Sequence, residues 1–247
     1  MKIVEYGKEN KDVIMLLHGG GLSWWNYRKE AELLCDQYHV VLPILDGHAG
    51  SDADFISIES TAQHVISLID PQYHGKILVL GGLSLGGQVV VEMLAQRKDI
   101  CQYAIVESAS VIQDKFTNAL IKPSIESSYG LIQKKWFAKA QFQYLKISAD
   151  LFEDYYRDTS LIRKDNMVAF LKASLMYQIK PALKECQAAI RVIVGAKEQK
   201  SIKASATLLN QILGNSSLEI KDGLHHGEYS INHPHVYVED LLKFIGK

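Results

Sequence analysis

Gly82-Leu83-Ser84-Leu85-Gly86 lies between an apolar run, Lys76 to Leu80, and an amphipathic pattern, Leu85 to Arg97. The run predicts a strand and the pattern predicts a helix, so the serine falls on a strand–turn–helix bend. Such a bend lifts one side chain above the carboxyl edge of a sheet and forces together the residues two before and two after it. Those positions must lack side chains, and here both are glycine. Gly87 lets the following helix approach its neighbours. A helix starting just after Ser84 also points free N–H groups and its positive end at whatever reacts there. The hydroxyl of Ser84 is therefore a candidate nucleophile.

Upstream of this bend, Asp12 to Leu17 and His39 to Leu45 read as strands, separated by helical spacing from Ser23 to Gln37. Ile58 to Ile69 reads as a helix that stops at Asp70-Pro71, and Ala104 to Val106 reads as a further strand. Near-continuous apolar strands alternating with helices predict a mostly parallel sheet covered on both faces, an α/β fold. From 112 to 187 only helical patterns appear, such as Ile132–Leu145 and Met167–Tyr177. The alternation then returns with strand Ile190–Val194, helix Ile202–Leu213, strand Ser217–Lys221 and helix Val236–Ile245. The expected plan is a core of residues 1–111 and 188–247 carrying a helical insertion at 112–187, a segment too structured to be a loop.

Composition narrows the function. The 247 residues are 47% apolar and 22% charged, enough for a sizeable core in a soluble chain. A net charge of −1 provides no basic field for nucleic acid or anionic lipid. The apolar run Val13–Leu17 is too short for a secretory signal or a membrane span. Cys35, Cys101 and Cys186 are odd in number and far apart, which excludes a disulfide scaffold and leads us to expect the reducing cytoplasm. Neither a Walker-type loop nor a G-x-G-x-x-G occurs, so nucleotide phosphate binding has no support. His225, His226, His233 and His235 lack the one-face spacing of a zinc site, so no metal is expected.

With these residues in hand, the chain resembles the α/β-hydrolase superfamily over essentially its whole length. His18-Gly19-Gly20-Gly21 resembles that family's oxyanion element. The resemblance implies that the amides of Gly20 and Leu85 bind a carbonyl oxygen as it becomes an oxyanion, with His18 structural and Gly21 beside the substrate. Pro43 to Ser51 resembles the family's P-D-x-P-G-H-G-x-S turn, with Ile44, Asp46 and Ala49 departing from the usual residues. In this fold the nucleophile is followed along the chain by an acid and then a histidine. Glu198, after the strand Ile190–Val194, resembles the usual acid position with Glu replacing Asp, and Glu107 is the alternative. The histidine is expected at His226, with His225 as its neighbour and rival.

In relatives the inserted segment caps the active site, and the resemblance implies a helical cap inserted here after the sixth strand. Here it holds 11 of the chain's 22 aromatic residues, and part of that set is expected to line an apolar pocket. Trp136 from the insertion and Trp24 beside the glycines, with Trp25, are the expected walls. The resulting expectation is a serine esterase for small or medium acyl chains, working without metal or organic cofactor on a small-molecule acyl substrate. Hydrolysis of a thioester, lactone, amide or carbon–carbon bond stays open, as does a hydrolase-like binding protein without turnover. Monomer and homodimer are both open.

Overall fold

The computed structural model describes residues 1–247. Its elements run, in chain order, β1 (Ile3–Tyr6), β2 (Val13–Leu17), α1 (Arg28–Leu34), β3 (His39–Pro43), α2 (Ile58–Gln72), β4 (Ile77–Leu83), α3 (Leu85–Gln96) and β5 (Cys101–Glu107). Four helices follow: α4 (Lys115–Ile132), α5 (Lys135–Tyr144), α6 (Phe152–Leu161) and α7 (Lys164–Met176). The chain closes with β6 (Ala189–Gly195), α8 (Lys200–Ile212), β7 (Ser216–Lys221), α9 (Glu228–Asn232) and α10 (Pro234–Phe244). The seven strands form one sheet in the order β1-β3-β2-β4-β5-β6-β7, with β1 antiparallel to β3 and every other pair parallel.

Side-chain alternation builds both faces from the same strands. Val13, Met15 and Leu17 of β2 enter one apolar cluster with α2, α3 and α8. Ile14 and Leu16 enter the opposite cluster with α1 and α10. The central strands are buried almost throughout, as a parallel sheet covered on both sides requires. The two edge strands differ: no residue of β1 or β7 is buried, and Ile220 of β7 is 53% exposed.

The inserted helices have no core of their own. Ile132, Ile162, Met167 and Phe170 belong to the first cluster, and Phe142, Leu151 and Tyr155 to the second. The insertion follows the fifth strand of this chain rather than the sixth, because only five strands precede residue 112. One of these, β1, is too short and too half-buried to read from Ile3-Val4-Glu5-Tyr6. The helix expected over Ile132–Leu145 is α5, which starts three residues later at Lys135; Ile132 is the last residue of α4. α4 escapes a periodicity reading because Phe116 and Leu120 point to solvent while Ile121 and Ile125 face inward, so apolar residues occupy both sides. α2 runs through Pro71, in its last turn, and ends one residue later. No helix is long and apolar enough to cross a membrane.

Candidate active site

Ser84 sits between β4 and α3 with φ 53° and ψ −112°, a backbone conformation that costs a non-glycine residue about 1–3 kcal/mol. The surroundings hold it there. A Cβ on Gly82 would lie 2.5 Å from the Gly86 carbonyl, and one on Gly86 would lie 2.2 Å from the Leu17 carbonyl oxygen. The Ser84 N–H donates to the Glu107 carbonyl at 2.8 Å, tying the bend to the end of β5.

Two side chains continue from the serine in a hydrogen-bonded line. His226 Nε2 is 3.1 Å from Ser84 Oγ, and His226 Nδ1 is 2.7 Å from Glu198 Oε2. A carboxylate only accepts, so Nδ1 carries the proton and Nε2 is left to accept from the serine hydroxyl. Glu198 is buried, and its other oxygen, Oε1, accepts from Ser108 Oγ at 2.7 Å and from the Gly195 N–H at 2.8 Å. Burial is the largest influence on this carboxyl and pushes its pKa up. The hydrogen bonds from His226, Gly195 and Ser108 together outweigh it, and the group is held below the usual glutamate range. Ser84, Glu198 and His226 come from the carboxyl ends of β4, β6 and β7, so no local stretch of sequence could assemble them.

The two rivals are occupied elsewhere. His225 donates its backbone N–H to Glu228 Oε2 at 2.8 Å, and its ring Nδ1 lies 3.0 Å from the same oxygen. Glu107 is fully buried; its Oε1 accepts the Ser230 N–H at 3.3 Å, and it makes no bond to either histidine. Burial pushes its pKa up to about 7 against the bonds from Ser230, with the charge of Glu198 adding to the rise.

Across from Ser84, the Gly20 and Leu85 amides have no hydrogen-bond partner within the protein. A Cβ on Gly20 would lie 3.5 Å from that of Leu85, so the two residues stand side by side. Histidines pin the glycine loop from behind. His18 Nε2 accepts the Leu45 N–H at 3.1 Å, and His48 Nε2 accepts the Gly21 N–H at 3.0 Å. The other ring nitrogen of each bonds a backbone carbonyl, of Gly19 and Asp46 respectively. Both rings are therefore neutral. Burial brings the His48 pKa to about 4, although bonds to Asp46 and Leu45 work the other way, and burial also holds His18 well below its ordinary value. The departure at Asp46 is structural too: its carboxylate accepts from Thr61 and His64.

A cavity of about 70 Å³ opens beside Ser84 and His226, walled by Leu22, Leu83 and Ile231 of the core and by Leu145 and Ile147 of the insertion. Its walls are aliphatic, and none of the insertion's aromatic residues lines it. The three residues expected to touch substrate lie outside it. Gly21 has its amide on His48 and its carbonyl on Thr159. Trp24 lies under the Arg28 guanidinium, and Trp136 is 66% exposed on the outer side of α5. Trp25 is buried, with Nε1 donating to Asp158 of α6. The aromatic residues instead join insertion to core, as Phe170 does by stacking on His48 with ring centroids 4.6 Å apart. Ser108 and Asn232 were missed by sequence reasoning. A serine beside Glu107 at a strand end was the one available signal for the first.

Residues 14–239 match the model of the alpha/beta hydrolase family, and the chain belongs to that family. No curated protein matches it. Among solved structures it is similar to a thermophilic esterase from Thermogutta terrifontis, with TM-score 0.78 and 17% identity over 100% of this chain and 94% of that one. The enol-lactonase from Burkholderia xenovorans LB400 gives 0.82 and 16% over 100% and 96%. MenH from S. aureus gives 0.77 and 18% over 100% and 98%. At these identities the likeness establishes the fold, and the chemistry must be argued from the site.

Proposed function

We propose that the protein is a serine hydrolase that cleaves small carboxylic esters through an acyl-enzyme. The reading rests on one observation above all: an imidazole nitrogen 3.1 Å from Ser84 Oγ, with a buried carboxylate behind the ring. Ser84 Oγ attacks the ester carbonyl carbon while His226 Nε2 takes the hydroxyl proton. The carbonyl oxygen becomes an oxyanion and receives the free N–H groups of Gly20 and Leu85. As the carbon–oxygen bond to the alcohol breaks, Nε2 returns the proton to the departing oxygen. Water then attacks the acyl carbon, giving a proton to His226. The bond to Ser84 breaks, the serine regains that proton, and a carboxylic acid leaves. Glu198 holds the productive tautomer and stabilises the transient imidazolium, and residues 112–187 act as the cap over this site.

Fluorophosphonate labelling tests the reading. Stoichiometric modification at Ser84, abolished in Ser84→Ala, is the expected result. A folded wild type that stays unlabelled would leave a hydrolase-like binding protein in its place.

A further inference from the structure

The outer wall of the cavity is not self-supporting. Leu145 and Ile147 lie in the loop after α5, and between them Lys146 adopts φ 58°, a left-handed conformation unfavourable for lysine. The backbone groups flanking Ile147 are held by a single side chain. Asn232 Nδ2 donates to the Lys146 carbonyl at 2.6 Å, and Asn232 Oδ1 accepts the Ser148 N–H at 2.9 Å. Only an amide offers donor and acceptor together in this spacing. Asp could serve Ser148 alone, and Ala neither. Asn232 closes α9, the short helix that begins two residues after His226, so a stretch of seven residues, 226–232, bears the imidazole at one end and fastens the facing wall at the other.

The chemistry of this half-open space follows from its walls. It holds no Lys or Arg, so a substrate carboxylate or phosphate finds no countercharge there. At about 70 Å³ it is small for a ligand site, which suits a short acyl group. The His226 side chain is 45% exposed, which gives the departing alcohol a way out, whereas Ile147 is buried. The Ile147 side therefore suits the part of the substrate that stays on the serine.

Building on the esterase reading above, we propose that Asn232 is a specificity-determining positioning residue that seats Ile147 over Ser84 and thereby restricts the enzyme to short, uncharged acyl groups. The test follows p-nitrophenyl esters from acetyl to octanoyl and alkyl fluorophosphonates from ethyl to octyl, since the latter report on Ser84 without turnover. Wild type is expected to favour the short members by tenfold or more. Asn232→Ala should raise the long-to-short ratio of kcat/KM about tenfold, mainly through a lower KM for the long ester. Ile147→Ala, which removes the wall and leaves the latch intact, should shift the ratio in the same direction and guards against an unfolded Asn232→Ala. Asn232→Asp should fall between wild type and Asn232→Ala. If both variants lower all rates equally, or leave the ratio unmoved in a labelled protein, Asn232 is merely structural and the proposal fails alone. If no probe labels wild type, the nucleophile reading fails and this one falls with it.

Discussion

His225 and His226 are neighbours in sequence and opposites in circumstance. Both the amide and the ring of His225 are spent on Glu228, whereas the ring of His226 bridges Ser84 and Glu198. The same contrast separates Glu198, which bonds the imidazole, from Glu107, which bonds the Ser230 amide. In steady-state assays on a p-nitrophenyl ester, His226→Ala should lower kcat at least about 10³-fold and Glu198→Gln on the order of 10⁴-fold. His225→Ala and Glu107→Gln should each cost less than about tenfold, since neither touches the serine. A larger loss from His225→Ala would reverse the assignment of the base. Ser84 was legible because a strained bend demands glycines at fixed offsets, and Gly82 and Gly86 supply them. Ser108 and Asn232 were not, because each acts through a contact at least 84 residues away in sequence and fits no fixed spacing.

At the scale of elements, the loop after β2 depends on two uncharged imidazoles. In the unfolded chain a histidine titrates near 6.5, whereas folded His48 titrates near 4. Between these values the unfolded state binds a proton that the native state refuses, so stability falls with pH from about 6.5 to about 4. Two and a half pKa units correspond to about 3 kcal/mol. His48→Gln can still accept the Gly21 amide but does not titrate. In urea unfolding from pH 7.5 to 4, the stability advantage of wild type over this variant should therefore shrink by up to about 3 kcal/mol. An advantage that does not change with pH would show that the neutral ring is not what holds the loop. The central strands were legible from their apolar runs. β1 and α9 were not, being four and five residues long and stabilised by tertiary contacts rather than by their own pattern.

For the whole molecule, one sheet divides two apolar layers, and every residue given a chemical role stands at the same edge of it. The alternation of strands and helices made that plan readable before any side chain could be placed. What it left out was the orientation of the inserted helices, whose aromatic residues pack into both layers instead of lining the cavity. Only neighbouring elements decide that packing, and sequence periodicity does not encode them.

The position of β7 carries a consequence for durability. The imidazole follows one of the sheet's two edge strands, which has a neighbour on one side only and is expected to loosen on warming before the central strands do. Catalytic failure on heating should therefore run ahead of collapse. The midpoint of ester-hydrolysis loss, read at temperature, is expected below the midpoint of the far-ultraviolet circular dichroism transition, with activity recovering on prompt cooling. If the two midpoints coincide, β7 melts only with the rest of the sheet.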